Sequence, residues 1–549
     1  MCGIFALFTP NHPLDETLLY KGVQSLHHRG PDHQGIWLSK DRKVGLSHAR
    51  LSINDLHTGF QPMSDSMGRL HCVVNGEFYD FVRIRQTLKK QCCAFKTQSD
   101  SEILLHLYAQ YGCAALEQLR GEFAFVLWHE DNQTLFAGRD RLGIKPLYFG
   151  QHQDQLFLAS EVKALFAAGF PALWDVEAYV TKSYLLHHRT LYKGIQQVPP
   201  GHYLLATPQG GLQCYPYWDL HYPKHNPKHP TTSQKGPRRN AHSGYSLEDF
   251  EGTFTTRKSN TSHLALTKML SEQEEQHHIL EIRKALQEAI ALRLQADVPV
   301  GVYLSGGLDS CALLGMAAPL HQGPLDAFTL SFDEELYDES AIAQEMAQHA
   351  GAHFHKIPVT SQQLADHFSQ TLWHNESVIF NAHCIAKFIL SQAVHQAGYK
   401  AVLTGEGADE IFAGYPGFRQ DLLETLSGQE ALQLTAQLTQ NNSISTGLLL
   451  PRQKGRGLGQ ASQILGCTPS WLLIQKASFI RQKRWYTKEL LESYGSSSPL
   501  VQWLNRLPIS ESVLGRHPVH KSMYLWSKSM LPNYILSALG DRMEMAHSL

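Results

Sequence analysis

The second residue of the chain, Cys2, combines a nucleophile and a base in one amino acid. A small second residue permits removal of the initiator Met, which leaves Cys2 with a free α-amino group. A thiol is strongly nucleophilic, and an α-amine with a pKa of about 7.7–8.0 is a base close to neutral pH. Cys2 is therefore a candidate catalytic nucleophile, and the structural alternative is an ordinary buried cysteine.

A second motif, Ser-Gly-Gly-Leu-Asp-Ser at residues 305–310, follows a predicted buried strand and precedes a predicted helix. In that context backbone N–H groups and a helix N-terminus converge on an anion, which predicts a phosphate site. No Lys follows the glycines, so the motif differs from the loop of the common nucleoside triphosphatases.

The stretch Leu-Thr-Gly-Glu-Gly-Ala-Asp-Glu at residues 403–410 follows another apolar strand and is expected at the same sheet edge. Asp309 and Asp409 would then lie close together, and their hard oxygen ligands suit Mg²⁺. The structural alternative for Glu406 and Asp409 is a solvated helix N-terminus.

The elements that position Cys2 are short apolar runs separated by Gly, Asn, Asp and Pro, a pattern typical of strands. Helices are predicted at 14–24 and 101–111. The predicted strands are 4–8, 44–46, 70–75, 124–128, 135–137, 147–150, 156–159 and 202–205. The first 220 residues thus form a mixed, strand-rich domain.

The elements that position the phosphate motif alternate between strand and helix. Ile279, Ile282, Leu286, Ile290 and Leu294 predict an amphipathic helix. The following strands are predicted at 298–304, 327–332, 353–359 and 401–404, and the helices at 311–318, 339–350 and 385–397. Such alternation indicates a parallel sheet with helices on both faces, and ligands bind at the carboxyl ends of its strands. The remainder is predicted to be mainly helical.

Residues 221–262 contain few large aliphatic side chains and predict a flexible linker or surface insertion. We therefore divide the 549 residues into a first domain at 1–220, a linker at 221–275 and a second domain at 276–549. The length itself favours at least two domains.

Five motifs surround Cys2 in the first domain and resemble, in order and spacing, those of the class II glutamine amidotransferases. They are His28-Arg29-Gly30-Pro31-Asp32, His48-Ala49-Arg50-Leu51-Ser52-Ile53, Asn75-Gly76-Glu77, Ser99-Asp100-Ser101-Glu102 and Gly138-Arg139-Asp140. The resemblance covers residues 1–205 and implies an α+β N-terminal-nucleophile fold, an αββα sandwich.

The chemistry of glutamine hydrolysis gives these motifs their expected roles. A tetrahedral oxyanion needs donors, which the Asn75 amide and the Gly76 N–H would supply. By resemblance, Arg50 binds the α-carboxylate of glutamine, and Asp100, helped by Glu77, binds its α-ammonium. Asn75-Gly76 is also compatible with a simple hairpin turn.

The second domain resembles the α/β parallel-sheet ATP-pyrophosphatases, which cleave ATP between its α- and β-phosphates and adenylate a carboxylate. The resemblance implies that Glu406 supports formation of the acyl-adenylate and the attack on it, and that Asp309 and Asp409 hold Mg²⁺. The residues expected to contact ATP are Leu304, Ser305, Gly306, Gly307, Asp309, Ser310, Leu330, Thr404 and Gly405.

Together the two domains resemble the glutamine-hydrolysing asparagine synthetases. The implied substrates are glutamine, aspartate and ATP. Cys2 would release ammonia through a γ-glutamyl thioester, and ammonia would displace AMP from β-aspartyl-AMP. Because free ammonia is largely protonated at neutral pH, we expect a dry passage between the domains.

Two alternatives remain open. The same architecture could amidate another carboxylate in a natural-product or cell-surface pathway, with specificity in residues 375–387. An inactive regulatory or scaffold protein is the other alternative, against which the intact Cys2, Arg50, Asn75 and Asp100 argue. The family normally continues beyond a segment like 540–549, so the second domain is expected to be truncated.

Composition excludes several function classes. The 48 Lys and Arg residues nearly balance the 50 Asp and Glu residues, which gives no electrostatic case for nucleic acid. No apolar run is long enough for a membrane span, and the N-terminus lacks a signal peptide, so we expect a cytoplasmic protein. The nine scattered cysteines fit neither a disulfide framework nor a zinc ribbon. A homodimer is compatible with the resemblance.

Overall fold

The computed structural model describes residues 2–186, 188–224, 245–246, 271–334, 337–441, 457–494 and 498–549. Most of the predicted linker at 221–275 lies outside these residues.

The strands, in chain order, are β1 Gly3–Phe8, β2 His33–Leu38, β3 Val44–Arg50, β4 Met63–Ser64, β5 Leu70–Tyr79, β6 Arg120–His129, β7 Thr134–Arg139, β8 Tyr148–His152, β9 Gln155–Ala159, β10 Ile195–Gln197, β11 His202–Thr207, β12 Gly211–Pro216, β13 Tyr245–Ser246, β14 Val300–Tyr303, β15 Asp326–Phe332, β16 His353–Val359 and β17 Ala401–Leu403.

The α-helices are α1 Glu16–Gln24, α2 Phe81–Lys90, α3 Ile103–Tyr111, α4 Ala115–Gln118, α5 Val162–Ala167, α6 Val176–Thr181, α7 Glu272–Arg293, α8 Leu308–Ala317, α9 Ser340–Ala350, α10 Ser361–Asp366, α11 Phe368–Asn375, α12 His383–Gln396, α13 Ala408–Phe412, α14 Pro416–Asp421, α15 Gly428–Asn441, α16 Gln460–Leu465, α17 Ser470–Gln482, α18 Lys488–Tyr494, α19 Pro499–Arg506, α20 Ile509–Ser512, α21 Pro518–Ser527 and α22 Arg542–Met545. A π-helical segment, Leu531–Asp541, precedes α22.

Two antiparallel sheets build the first half of the chain. Their strand orders are β10-β8-β9-β1-β3-β2 and β13-β12-β11-β7-β6-β5-β4. Apolar side chains from both sheets, such as Ile4 and Val126, fill the space between them. Helices α1 and α5 pack on the outer face of the first sheet, and α2, α3 and α4 on that of the second. The expected αββα sandwich is confirmed.

A four-stranded parallel sheet, in the order β16-β15-β14-β17, organises the second half. Helices α7, α8 and α9 pack on one face through residues such as Leu314, and α12 packs on the other through Leu390 and Val394. The loops after β14 and β17 leave the same edge of the sheet, because the two strands are parallel neighbours. The predicted α/β architecture is confirmed.

The predicted amphipathic helix exists as α7, and its apolar side chains become buried only towards its C-terminal end. Ile279 and Ile282 are 47% and 44% exposed, and Ile290 is the residue of α7 that is buried. A capping box between Ser271 and Glu274 holds the start of the helix. Local capping therefore supports a helix whose first turns extend beyond the sheet.

The two halves meet along a buried interface to which the last residues of the chain contribute. Met545 packs against Leu51 and Ile53 of the first half, and Leu549 packs against Tyr303 and Phe328 of the parallel sheet. This segment, residues 541–549, is thus in contact with both halves. Within the described part of the chain, no helix combines the length and the apolar character needed to cross a bilayer.

Candidate functional site

Cys2 lies at the start of β1, where the interior of the sandwich holds its backbone. Its N–H donates to Asn75 Oδ1 at 2.9 Å, and its thiol donates to the Leu51 carbonyl oxygen at 3.8 Å. The Cys2 carbonyl oxygen accepts a hydrogen bond from Arg29 Nε, also at 2.9 Å. The backbone on both sides of the Cys2 Cα is therefore fixed.

The Cys2 thiol is poised to ionise. Burial alone would raise its pKa, but the charge of the nearby His48 imidazole, helped by the hydrogen bond to the Leu51 carbonyl oxygen, outweighs that effect and lowers the pKa to about 6. His48 is fully buried in β3, directly opposite Ile4 of β1. A thiolate therefore predominates at neutral pH, which is the reactive form of cysteine.

Asn75 and Gly76 lie within β5, beside Cys2. The Oδ1 atom of Asn75 is used by Cys2, whereas its Nδ2 is buried without a hydrogen-bond partner among the described residues. Gly76 has φ +130°, and a Cβ there would lie 2.0 Å from the Glu122 carbonyl oxygen. Only glycine fits this backbone, and the orphaned Nδ2 is a donor available to an oxyanion. The hairpin-turn interpretation is wrong, because both residues pair with β6 inside the sheet.

Two acidic side chains lie in the pocket next to Cys2. Asp100 accepts a hydrogen bond from the Phe78 N–H at 2.7 Å. Burial raises the pKa of Asp100, and burial together with the charge of Asp100 raises the pKa of Glu77 to about 8. A bound ammonium group would offset the burial of these two carboxyl groups and the repulsion between them.

Arg50, at the end of β3, supplies the positive charge of the same pocket. Its Nη2 donates to the Asp55 carbonyl oxygen at 2.5 Å, and its guanidinium lies 5.0 Å from the centre of the Phe60 ring. The pocket is lined by Cys2, Arg50, Leu51, Ile53, Asn54, Gly59, Gln61, Gly76, Glu77, Ser99, Asp100 and Ser101. It thus combines a thiol, a cation and two carboxyl groups.

A larger cavity, of about 460 Å³, opens at the carboxyl edge of the parallel sheet. Its lining includes ten of the residues predicted for ATP, Mg²⁺ and acyl transfer: Leu304, Ser305, Gly307, Asp309, Ser310, Leu330, Thr404, Gly405, Glu406 and Asp409. Gly306 is not in the lining, although its loop is. The volume lies in the range of small-molecule sites.

The loop between β14 and α8 is organised as an anion-binding turn. Ser305 N–H donates to Ser310 Oγ at 3.0 Å, and Gly307 N–H donates to Ser305 Oγ at 3.1 Å. Gly306 N–H donates to a carboxylate oxygen of Glu339 at 3.1 Å. In this structure Glu339 therefore occupies a donor that a phosphate oxygen would otherwise use.

Asp309 and Asp409 both line the second cavity. Burial and the charge of Glu406 raise the pKa of Asp309, while burial and Asp309 raise that of Asp409. Mutual repulsion of this kind is what a divalent cation relieves. Two carboxylates fit Mg²⁺ that is bound mainly through substrate phosphates and water. The described residues contain no cluster of three or more candidate protein ligands.

Glu406 pairs with a lysine that the sequence did not single out. Lys387 Nζ lies 3.0 Å from Glu406 Oε1 on the inner face of α12. Burial would raise the pKa of Glu406, but Lys387 lowers it, so Glu406 is ionised. A signal was available, because Lys387 interrupts the apolar face of a predicted helix.

The structure brings the sequence-predicted residues together in two groups. At the first pocket lie Cys2, Arg50, Asn75, Gly76, Glu77 and Asp100. At the second lie all the predicted residues between 304 and 409 except Gly306. His48 was quoted within a motif but not assigned a role, since no spacing rule shows that it faces Cys2. Arg29 was missed for the same reason.

Two family models match the chain. One, described as a glutamine amidotransferase domain, matches residues 1–218. The other, described as asparagine synthase, matches residues 281–549. The matches correspond to the sandwich and to the half built on the parallel sheet.

Curated relatives match both halves. The amidase chry2 of Gibberella zeae is 33% identical over 100% of this chain and 80% of its own length. The amidase chyE of Penicillium rubens is 34% identical over 98% of this chain and 76% of its own length. Asparagine synthetase (glutamine-hydrolysing) 1 of Bacillus subtilis is 29% identical over 77% of this chain and 60% of its own length.

Proposed function

Because the chain belongs to the family of glutamine amidotransferases with an asparagine-synthase domain, we propose that it transfers the amide nitrogen of glutamine to a carboxylic acid activated by ATP. The observation that carries the proposal is the pocket at Cys2, where an activated thiol lies beside the unpartnered Nδ2 of Asn75. The phosphate loop at the second cavity supports the ATP-dependent half.

In the first half-reaction, the Cys2 thiolate attacks the side-chain amide of glutamine. Asn75 Nδ2 and the Gly76 N–H donate to the oxyanion, and the α-amine of Cys2 passes a proton to the departing nitrogen. Arg50 binds the α-carboxylate, and Asp100 and Glu77 bind the α-ammonium. Water then hydrolyses the γ-glutamyl thioester, which yields glutamate and restores the thiol.

In the second half-reaction, the acceptor carboxylate attacks the α-phosphorus of ATP and releases pyrophosphate. The 305–310 loop binds the phosphates, and Leu304, Leu330, Thr404 and Gly405 contact the nucleotide. Asp309 and Asp409 would hold Mg²⁺, which when bound neutralises phosphate charge. Glu406, oriented by Lys387, accepts the proton lost as ammonia attacks the acyl-adenylate and displaces AMP.

Aspartate is the first candidate acceptor, which makes the product asparagine. The match of residues 281–549 to the asparagine-synthase model and the similarity to asparagine synthetases support this choice. The substrates are then glutamine, aspartate and ATP.

Another carboxylic acid is the second candidate, and two observations favour it. The relatives at 33% and 34% identity are described as amidases. Among the described residues that line the second cavity, Lys387 is the one Lys or Arg side chain, and it is already paired with Glu406. Aspartate would bring an α-carboxylate that needs a cation of its own, whereas a simple monocarboxylic acid would not.

ATP–pyrophosphate exchange across a panel of carboxylic acids separates these candidates. Exchange that depends on aspartate alone supports asparagine synthesis, and exchange that depends on a different acid supports the second candidate. If no acid promotes exchange and no glutamate is released from glutamine, the chain is an inactive homologue and the proposal is wrong.

A further inference from the structure

The carbonyl oxygen of Cys2 is held by an arginine that the second half of the chain holds in turn. Arg29 is fully buried, and its Nε donates to the Cys2 carbonyl oxygen at 2.9 Å. Its Nη1 and Nη2 donate to the two carboxylate oxygens of Asp541, each at 2.8 Å. Asp541 is 512 positions further along the chain and directly precedes α22.

The fork between Arg29 and Asp541 is a strong and specific contact. A bidentate guanidinium–carboxylate pair fixes distance and orientation together, and both side chains are buried. Glu161 accepts a further hydrogen bond from Nη1 at 2.8 Å, so the guanidinium is held on two sides. The charge of Arg29 keeps the pKa of Asp541 below its usual range despite burial.

The segment that carries Asp541 also contacts the walls of both pockets. Met545 packs against Leu51 and Ile53, which line the pocket at Cys2. The Met543 carbonyl oxygen accepts a hydrogen bond at 2.7 Å from Ser391 of α12, the helix that carries Lys387. The position of Asp541 therefore depends on the same packing contacts that shape the second cavity.

We propose that Asp541 is a positioning residue of the glutaminase reaction, which acts on Cys2 through Arg29. The second half of the chain thereby helps to hold the nucleophile of the first half in position. This inference rests on the proposed hydrolysis of glutamine at Cys2.

The test compares glutamate release by the full-length wild type, Asp541→Asn and Arg29→Lys. Asp541→Asn is isosteric but presents one acceptor where Arg29 needs two, and Arg29→Lys keeps the buried positive charge but loses the Nε contact. A displacement of the nucleophile by about 1 Å can cost about 100-fold in rate. We expect kcat to fall by about 10- to 100-fold in both variants, while KM for glutamine changes by less than about threefold, because Arg50 and Asp100 still bind the charged ends.

Glu376→Gln is the matched control. Glu376 is a buried carboxylate of the same interface that pairs with Arg542 Nη2 at 2.9 Å, but it contacts neither Arg29 nor Cys2. A merely structural role of the interface predicts equal losses in Glu376→Gln and Asp541→Asn. Positioning predicts a loss of kcat in Asp541→Asn alone of these two.

The second readout is ammonia-driven amide synthesis, which bypasses Cys2 and should stay at the wild-type rate in all three variants. If this activity is lost in Asp541→Asn, the variant is misfolded and Arg29→Lys decides the question. Wild-type kcat for glutamate release in both Asp541→Asn and Arg29→Lys would overturn the inference. No glutamate release by the wild type would instead overturn the proposed function, and this inference with it.

Discussion

The residues that form the pocket at Cys2 are mostly buried, whereas the cavity at the parallel sheet opens on exposed loops. Cys2, Asn75 and Asp100 are each at most 8% exposed. At the second site Leu308 is 83% exposed, and the side chain of Glu406 is 29% exposed. The first site lies inside an antiparallel sandwich, and the second lies at the free edge of a parallel sheet.

This difference follows from what each site must bind. Under the proposed function, the first pocket recognises one small substrate through charged side chains that the fold already holds in place. The second must admit ATP and an acceptor, and its phosphate loop still binds the Glu339 carboxylate. Under the proposed function, specificity for the acceptor is therefore expected at the second site.

Removal of the thiol should produce the largest effect and separate the two sites completely. In Cys2→Ala, glutamine-driven amide synthesis should fall by at least about 1,000-fold, since loss of a covalent nucleophile removes most of the catalysis. Ammonia-driven synthesis should be unchanged. Steady-state rates with glutamine and with ammonium chloride check both statements, and undiminished use of glutamine would refute the role of Cys2.

Removal of the oxyanion donor should affect the same site more mildly. Asn75→Ala deletes the buried Nδ2 and should lower kcat for glutamate release by about 100- to 1,000-fold. Affinity for glutamine should change little, because the charged ends of the substrate are bound elsewhere. An equal loss in KM and kcat would argue that Asn75 binds the ground state rather than the transition state.

The reciprocal change is Asp309→Asn at the second site. Charge stabilisation of the kind a phosphate-bound cation supplies is worth several kcal/mol, so ammonia-driven synthesis should fall on the order of 100-fold. Glutamate release without acceptor should persist at the Cys2 pocket. The required Mg²⁺ concentration should rise in parallel, and an unchanged Mg²⁺ dependence would exclude Asp309 as a ligand.

The smallest expected effect is a pH dependence of glutamine binding. The pKa of Glu77 is raised to about 8 in the empty pocket by burial and by Asp100, and a bound α-ammonium would lower it. Binding therefore expels a proton below pH 8, so affinity is fully present above that pH and weakens as the pH falls. Calorimetry on Cys2→Ala should show Kd rising a few-fold from pH 8.5 to pH 7, within the limit of about tenfold per unit for one proton. Glu77→Gln should remove this dependence.

The local structure of a motif was predictable where its residues are close together in the sequence, because the pattern of residue types determines the local geometry. The strand before residues 305–310 and the helix after them follow from an apolar run and a glycine turn, and both are present. The placement of Asn75 beside Cys2 came from the resemblance to a family. The hydrogen bond from the Cys2 N–H to Asn75 Oδ1 is the physical cause of that placement.

Contacts between distant segments were not predictable. Nothing in the sequence near Arg29 indicates that its partner is Asp541, because the pair forms only when the two halves dock. The same holds for His48, whose effect on the Cys2 thiol depends on the pairing of β1 with β3. In α7 the case is the opposite one, because a periodic apolar face is present but the apolar residues of its first half are exposed. Periodicity alone does not say what a helix packs against.

The most direct test of the proposed function follows the nitrogen atom itself. The wild-type protein is supplied with glutamine labelled with ¹⁵N at the side-chain amide, together with ATP and the acceptor identified by pyrophosphate exchange, and the product is analysed by mass spectrometry. If the protein transfers the glutamine nitrogen to an adenylated acceptor, the new amide carries ¹⁵N and one AMP forms for each amide. Label that remains in free ammonia while the acceptor is unchanged, or amide formation without AMP, would contradict the proposed function.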